Sequence, residues 1–199
     1  MGKTTKIALA GEGGQGIQSV ADILAEAGND TGKQALYIPN FGVEQRGGVS
    51  VAYVQISDEQ IGSPKFTKGD IVMALSDRAV GRTAKYVDHN TIFVYDSSLV
   101  DPSGDAGPIL DKLNKEAGQV LGLPANDICK NEFHPRVFNI MVLGAVIELT
   151  KVLPPENVKS AIESKLKRKF DQKPELRDMN MNAFDRGIEL AKESMTEKI

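Results

Sequence analysis

Four glycines crowd into Gly11-Glu12-Gly13-Gly14-Gln15-Gly16, directly after the apolar run Ile7-Ala8-Leu9-Ala10. Ile17, Val20, Ala21 and Leu24 follow at helical spacing, so the stretch reads as strand, tight turn, helix. Such an arrangement aims the amides of a helix N-terminus at a bound anion, most often the pyrophosphate of a nucleotide-containing cofactor. Positions 11, 13 and 16 fit Gly-x-Gly-x-x-Gly, a pattern of low specificity by itself. A tight turn without any ligand would use the same residues.

A dinucleotide site also wants an acidic residue at the end of the second strand to hold the ribose hydroxyls. The second strand is predicted at 34–38, and it runs into Pro39-Asn40-Phe41-Gly42 with no carboxylate. Asp30 precedes that strand and Glu44 comes well after it. Gly2-Lys3-Thr4-Thr5 imitates the end of a P-loop but lacks the preceding glycine and the strand that should present it. The loop is therefore expected to hold a phosphate-bearing ligand that is neither NAD nor ATP.

A second unusual stretch is Pro39-Asn40-Phe41-Gly42-Val43-Glu44-Gln45-Arg46-Gly47-Gly48. It follows the second strand, so in a parallel sheet it belongs at the same carboxyl edge as the glycine loop, where ligands bind. Arg46 offers a planar fork for a phosphate or carboxylate, Glu44 can hold that guanidinium, and Gly47 and Gly48 allow close backbone approach. The alternative is a structural Glu44–Arg46 pair that braces the loop, and both readings stay open.

The elements that must position these loops follow from periodicity. Further strands are predicted at 49–56, 70–75 and 91–95, the run from Asp70 to Leu75 being apolar enough for a central parallel strand. Helices are predicted at 17–30, after Ser76-Asp77, from Pro135, at 156–170 and at 180–195, with 109–133 mixed helix and irregular chain. This alternation predicts an α/β protein: a three-layer α/β/α sandwich around a mainly parallel, Rossmann-like sheet, with the C-terminal helices packed outside. All 199 residues are expected to form one domain.

Composition narrows the chemistry. A formal net charge of −3 gives no general attraction to nucleic acid or an anionic membrane. No apolar stretch approaches the ~20 residues of a membrane span, and the first residues lack a signal-peptide pattern, so membrane insertion is not expected and a cytoplasmic location is. Cys129 is the single cysteine, which excludes an intrachain disulfide and a self-contained iron–sulfur cluster. It reads as a small buried residue, and His134 as a loop or cap residue. The two histidines, His89 and His134, lack helix-spaced carboxylate partners, so no metal site is expected.

The glycine loop taken with Phe41-Gly42-Val43-Glu44-Gln45-Arg46-Gly47-Gly48 resembles the gamma subunit of 2-oxoacid:ferredoxin oxidoreductases, which carry Tyr-Gly-x-Glu-x-Arg-Gly-Gly at the second motif. Ser63-Pro64, Asp70, Asn139, Leu143-Gly144-Ala145 and Asn182-Ala183-Phe184-x-x-Gly187 extend the resemblance over most of the chain. The Glu44-Gln45-Arg46 spelling is closer to the 2-oxoglutarate or general 2-oxoacid branch than to the indolepyruvate branch. The resemblance implies a subunit of a complex that decarboxylates a 2-oxoacid on thiamine diphosphate, passes electrons through iron–sulfur clusters to ferredoxin and forms an acyl-coenzyme A. Thiamine diphosphate and the clusters would lie in companion alpha, beta and ferredoxin-like delta subunits, with ferredoxin an indirect partner. This chain would serve the coenzyme A side, through Gly11, Gly13, Gly14, Gln15, Gly16, Glu44, Arg46, Gly47 and Gly48. No catalytic residue is assigned. The basic run Lys165, Lys167, Arg168 and Lys169 is expected to be a solvated face, with Leu166 and Phe170 turned inward, in preference to a ferredoxin dock. A free-standing nucleotide-binding or regulatory protein using the glycine loop as a phosphate sensor is the competing reading.

Overall fold

Alternate residues of the first strand belong to two different cores. Ile7 and Leu9 face one, Ala8 and Ala10 the other, and all four are fully buried. A strand buried on both faces lies inside a layered α/β structure. The computed structural model describes residues 4–41 and 48–196. In chain order the elements are β1 (Thr5–Glu12), α1 (Ile17–Asp30), β2 (Gln34–Asn40), β3 (Val49–Ser57), β4 (Ile71–Ala74), α2 (Asp77–Thr83) and β5 (Ile92–Asp96). They continue with α3 (Gly107–Glu116), β6 (Gln119–Leu123), α4 (Ala125–Glu132), α5 (Phe138–Thr150), α6 (Pro155–Gln172) and α7 (Glu175–Thr196).

The sheet order is β2-β3-β1-β4-β5-β6. β4 lies between β1 and β5, parallel to both and buried throughout, as its unbroken apolar sequence requires. β6 extends the parallel set beyond β5. β3 runs antiparallel to β1 and to β2, so five strands share one direction and β3 opposes them. The sheet is thus mainly parallel, as expected, but β2 is an edge strand separated from β1. Residues 41–48 are too few for a crossover, which needs about a dozen, so the chain after β2 returns antiparallel.

One face of the sheet carries α1, α5 and α7 over the larger core; the other carries α2 and α3 over Val72, Ala74 and Phe93. α6 packs on α1 and α7, outside the first helical layer. The sequence reading of 109–133 missed β6, because a five-residue strand between two short polar helices leaves almost no periodic signal. α7 also starts at Glu175, earlier than the predicted 180.

α5 is buried from Phe138 to Glu148 except at Asn139, so it is a core helix with no amphipathic stripe. It crosses α7 at two glycines. A Cβ on Gly144 would overlap the Phe184 carbonyl, and one on Gly187 would overlap the Met141 carbonyl. Helix backbones touch at that crossing, which explains the glycines that the sequence carries there.

Candidate functional site at the carboxyl edge of the sheet

Because five strands point one way, their carboxyl ends and the start of β3 meet along one edge. Register places Glu12 beside Val49 and Asn40 beside Val51. The glycine loop and the two ends of the arginine-bearing segment, Phe41 and Gly48, therefore occupy neighbouring positions on this edge, as expected. Phe41 is 69% exposed, the one large apolar side chain left in solvent among the described residues. Glu44, Arg46 and Gly47 lie outside the described residues.

The loop itself is built around Gln15. Its Oε1 accepts from the Glu12 amide at 2.6 Å and its Nε2 donates to the Leu75 carbonyl at 2.8 Å. One side chain thus closes the turn and ties it to the chain leaving β4. Gly11 still lies in β1, paired with Ser50, so the strand runs two residues beyond the apolar run that ends at Ala10. A Cβ on Gly11 would meet Gln15 Oε1 at 2.5 Å, so that glycine makes room for the Gln15 side chain.

Gly16 is required twice over. Its φ of 74° is left-handed, and a Cβ there would meet Asn139 of α5 at 2.8 Å. Gly14 also has a positive φ, 95°, but faces open space. Gly13 has neither constraint: its φ lies outside the left-handed region, and a Cβ would meet nothing within 4 Å.

α1 begins with no side-chain cap and no acidic residue in its first turn. The amides of Ile17, Gln18 and Ser19 find no acceptor among the described residues. Two other helices starting at this edge are supplied from within. In α2, Ser76 Oγ accepts from the Ala79 amide at 3.2 Å. In α4, Asp96 Oδ2 accepts from Asn126 at 2.9 Å and Ser98 Oγ from Asp127 at 3.3 Å. The start of α1 thus has free donors among the described residues, and the helix dipole favours an anion there.

Charge around the loop is arranged by residues the sequence reading did not single out. Arg78 Nε donates to Glu12 Oε1 at 3.1 Å, and this bond holds the Glu12 carboxyl below its ordinary range against a small opposing effect of burial. Asp96, 1% exposed at the end of β5, also accepts from the Ser98 amide at 2.8 Å. Burial pushes its carboxyl upward despite those hydrogen bonds. A polar residue directly after the apolar run of β5 was the available signal for Asp96. Arg78 had none, since its pairing depends on the β1–β4 register.

Other sequence expectations find plain structural roles. Cys129 is fully buried with its Sγ donating to the His134 carbonyl at 3.1 Å, and burial pushes the thiol up to about 11. His134 Nδ1 accepts from the Arg136 amide at 3.1 Å and caps the short 3-10 turn Pro135–Val137. In the basic run, Lys165 pairs with Asp22 at 2.6 Å and Glu26 at 3.2 Å, and Lys167 with Asp171 at 3.0 Å; Leu166 and Phe170 turn inward. Among the described residues no His, Cys, Asp and Glu cluster could hold a metal, and no helix is long and apolar enough to cross a membrane.

Comparisons with known proteins agree over nearly the whole chain. Ketoisovalerate oxidoreductase subunit VorA of Methanothermobacter thermautotrophicus is 32% identical over 191 residues, covering 96% of this chain and 37% of VorA. The chain thus spans little more than a third of that relative. The 2-oxoglutarate synthase subunit KorC of Methanocaldococcus jannaschii is 33% identical over 190 residues, 94% of each chain. Among solved structures, the gamma subunit of keto/oxoacid ferredoxin oxidoreductase from Geobacter sulfurreducens superposes with a TM-score of 0.77 at 29% identity, covering 96% of this chain and 98% of that one. The 2-oxoglutarate:ferredoxin oxidoreductase of Magnetococcus marinus, solved with 2-oxoglutarate, coenzyme A and succinyl-CoA bound, gives 0.82 at 29% identity, covering 96% of this chain and 31% of that one. The model of the pyruvate ferredoxin/flavodoxin oxidoreductase family matches residues 6–190, and with that agreement from end to end the chain belongs to this family.

Proposed function

We propose that this chain is the gamma component of a multisubunit 2-oxoacid:ferredoxin oxidoreductase in the cytoplasm, acting as one domain over 1–199 and serving the coenzyme A side of the reaction. The observation that carries the coenzyme A assignment is the start of α1: three amides without acceptors among the described residues, beside Gly13 and Gly14, both open to an approaching ligand. Coenzyme A brings a pyrophosphate and a ribose 3′-phosphate, so it needs anion donors and no ribose-binding acid after β2. The loop offers the first and lacks the second. Gly11, Gln15 and Gly16 shape this cradle, and the planar fork of Arg46, close in sequence to Glu44, Gly47 and Gly48, suits a phosphate.

Thiamine diphosphate and iron–sulfur clusters belong to companion alpha, beta and delta subunits in this reading. A single cysteine cannot supply the about four thiolates that such a cluster needs. The naming of KorC and of the Geobacter protein as subunits favours this over a free-standing sensor.

The test is the coenzyme A dependence of the assembled complex. Arg46→Lys keeps the charge but loses the fork and should weaken coenzyme A by roughly ten- to a hundredfold, about 1.5–3 kcal/mol. Gly13→Ala adds a methyl that meets no protein atom within 4 Å, so it should leave the melting temperature in place while weakening coenzyme A. Thiamine-dependent decarboxylation should survive both changes. Unchanged coenzyme A dependence in both variants would make the two loops structural braces.

A further inference from the structure

A cleft of about 400 Å³ opens where α1, α5, α6 and α7 meet, on the helical side of the sheet. Leu166 and Leu176, both half-buried, supply its open apolar surface, with the core residues Ile23, Ile140 and Phe170 behind them. Arg136, Lys165 and Lys169 also line it, with Asp22 as the one carboxylate among the lining residues. Lys165 is committed to Asp22 and Glu26, and these bonds hold its ammonium charged. Arg136 and Lys169 have no ion-pair partner among the described residues.

The cleft also carries polar groups with unused capacity. Asn180 is only 7% exposed; its Nδ2 donates to the Leu176 carbonyl at 2.6 Å, and its Oδ1 accepts from nothing among the described residues. Asn139 packs against Gly16 and makes no hydrogen bond among the described residues. Pockets of about 300–1,000 Å³ with apolar walls and a few convergent polar groups suit small organic molecules.

We propose that this cleft, which adjoins the glycine loop through Ser19 and Asn139, is a second binding site for a small organic anion: a carboxylate or phosphate on an apolar body. The apolar body lies against Leu166 and Leu176, and Arg136 and Lys169 meet the anionic head. Cations bordering an apolar wall attract such a head more strongly than the same cations on an open surface.

The full-length chain tests this by fluorescence titration with anilinonaphthalenesulfonate, and with neutral phenylnaphthylamine as the uncharged match. The expected result is saturable binding of one equivalent of the sulfonate. The double variant Arg136→Gln/Lys169→Gln, at two exposed positions, should weaken the sulfonate by about tenfold and the neutral probe by less than about twofold. Leu166→Trp, which fills the apolar wall, should weaken both. Saturating coenzyme A should leave the sulfonate bound, whatever happens to the coenzyme A loops. Sulfonate affinity unchanged in the double variant, non-saturating binding, or displacement by coenzyme A would each overturn a separate anion site.

Discussion

Gly144 and Gly187 meet across the α5–α7 crossing, each lying where a side chain would strike the backbone of the other helix. The contact is reciprocal: Gly144 is set against Phe184 and Ile188, Gly187 against Met141 and Ala145. Since α5 also carries Asn139 against Gly16, this crossing helps set the position of the glycine loop.

Alanine at either glycine should therefore destabilise the protein, although alanine is the better helix former by about 1 kcal/mol. Overpacking of a helix crossing costs roughly 1–3 kcal/mol. Both substitutions spread the same crossing, so the second should cost less than the first. Urea unfolding of the two single variants and the double variant measures this. Additive losses would mean that the helices relax independently.

Gln15 makes a sharper probe of the loop. Gln15→Ala removes both of its hydrogen bonds and should cost ~1–2 kcal/mol, read as a fall in melting temperature of roughly 2–8 °C. Gln15→Glu keeps the acceptor for the Glu12 amide but sets a carboxylate oxygen against the Leu75 carbonyl. Its proton restores a donor there, so the folded-state pKa of the new residue is raised. Its destabilisation should be small at low pH and grow as pH rises through that pKa. A Gln15→Glu penalty independent of pH would show that the Leu75 contact is not what holds the loop.

The Glu12–Arg78 pair predicts an acid-side effect of the opposite sign. Glu12 is held below its ordinary value of 4.5 by the Arg78 hydrogen bond, so its contribution is present above that value and lost as pH falls through the lowered one. Glu12→Gln should flatten the acid limb of the stability–pH curve. Both side chains are substantially exposed, so the difference should stay below about 1 kcal/mol and shrink in high salt. Unfolding midpoints between about pH 3 and 6 at two salt concentrations provide the check.

Cys129 should be inert in the folded protein. With its thiol pushed up to about 11 and no solvent exposure, about one molecule in a thousand carries the thiolate at pH 8. Iodoacetamide should label the unfolded chain within minutes and leave the native one unmodified for hours. Rapid native labelling would reveal opening of the contact between Cys129 and the His134 carbonyl.

The strand–loop–helix opening, the buried strand at 71–74, the Ser76 cap and the inward turn of Leu166 and Phe170 were all legible in the sequence. Each rests on local periodicity or on one residue's capping chemistry, and both are properties of short windows. β6 was not legible, since five residues between short polar helices carry little period. The two ends of the segment after β2, Phe41 and Gly48, lie at the edge that carries the glycine loop, and the residues between them lie outside the described ones.

The sequence by itself determined that a strand, a glycine turn and a helix open the chain, that a parallel core strand follows, and that one cysteine cannot build a cluster. Those conclusions need only residue type, spacing and number. The tertiary structure decided which glycine does what. Gly11 yields to Gln15, Gly16 to Asn139, and Gly144 and Gly187 to each other's helices, while Gly13 and Gly14 remain open to solvent. It also decided that Arg78 meets Glu12 and that α1 alone, against α2 and α4, starts with its amides uncapped. Those facts depend on strand register and helix crossing, which join residues far apart in the chain, and no local window of sequence records such contacts.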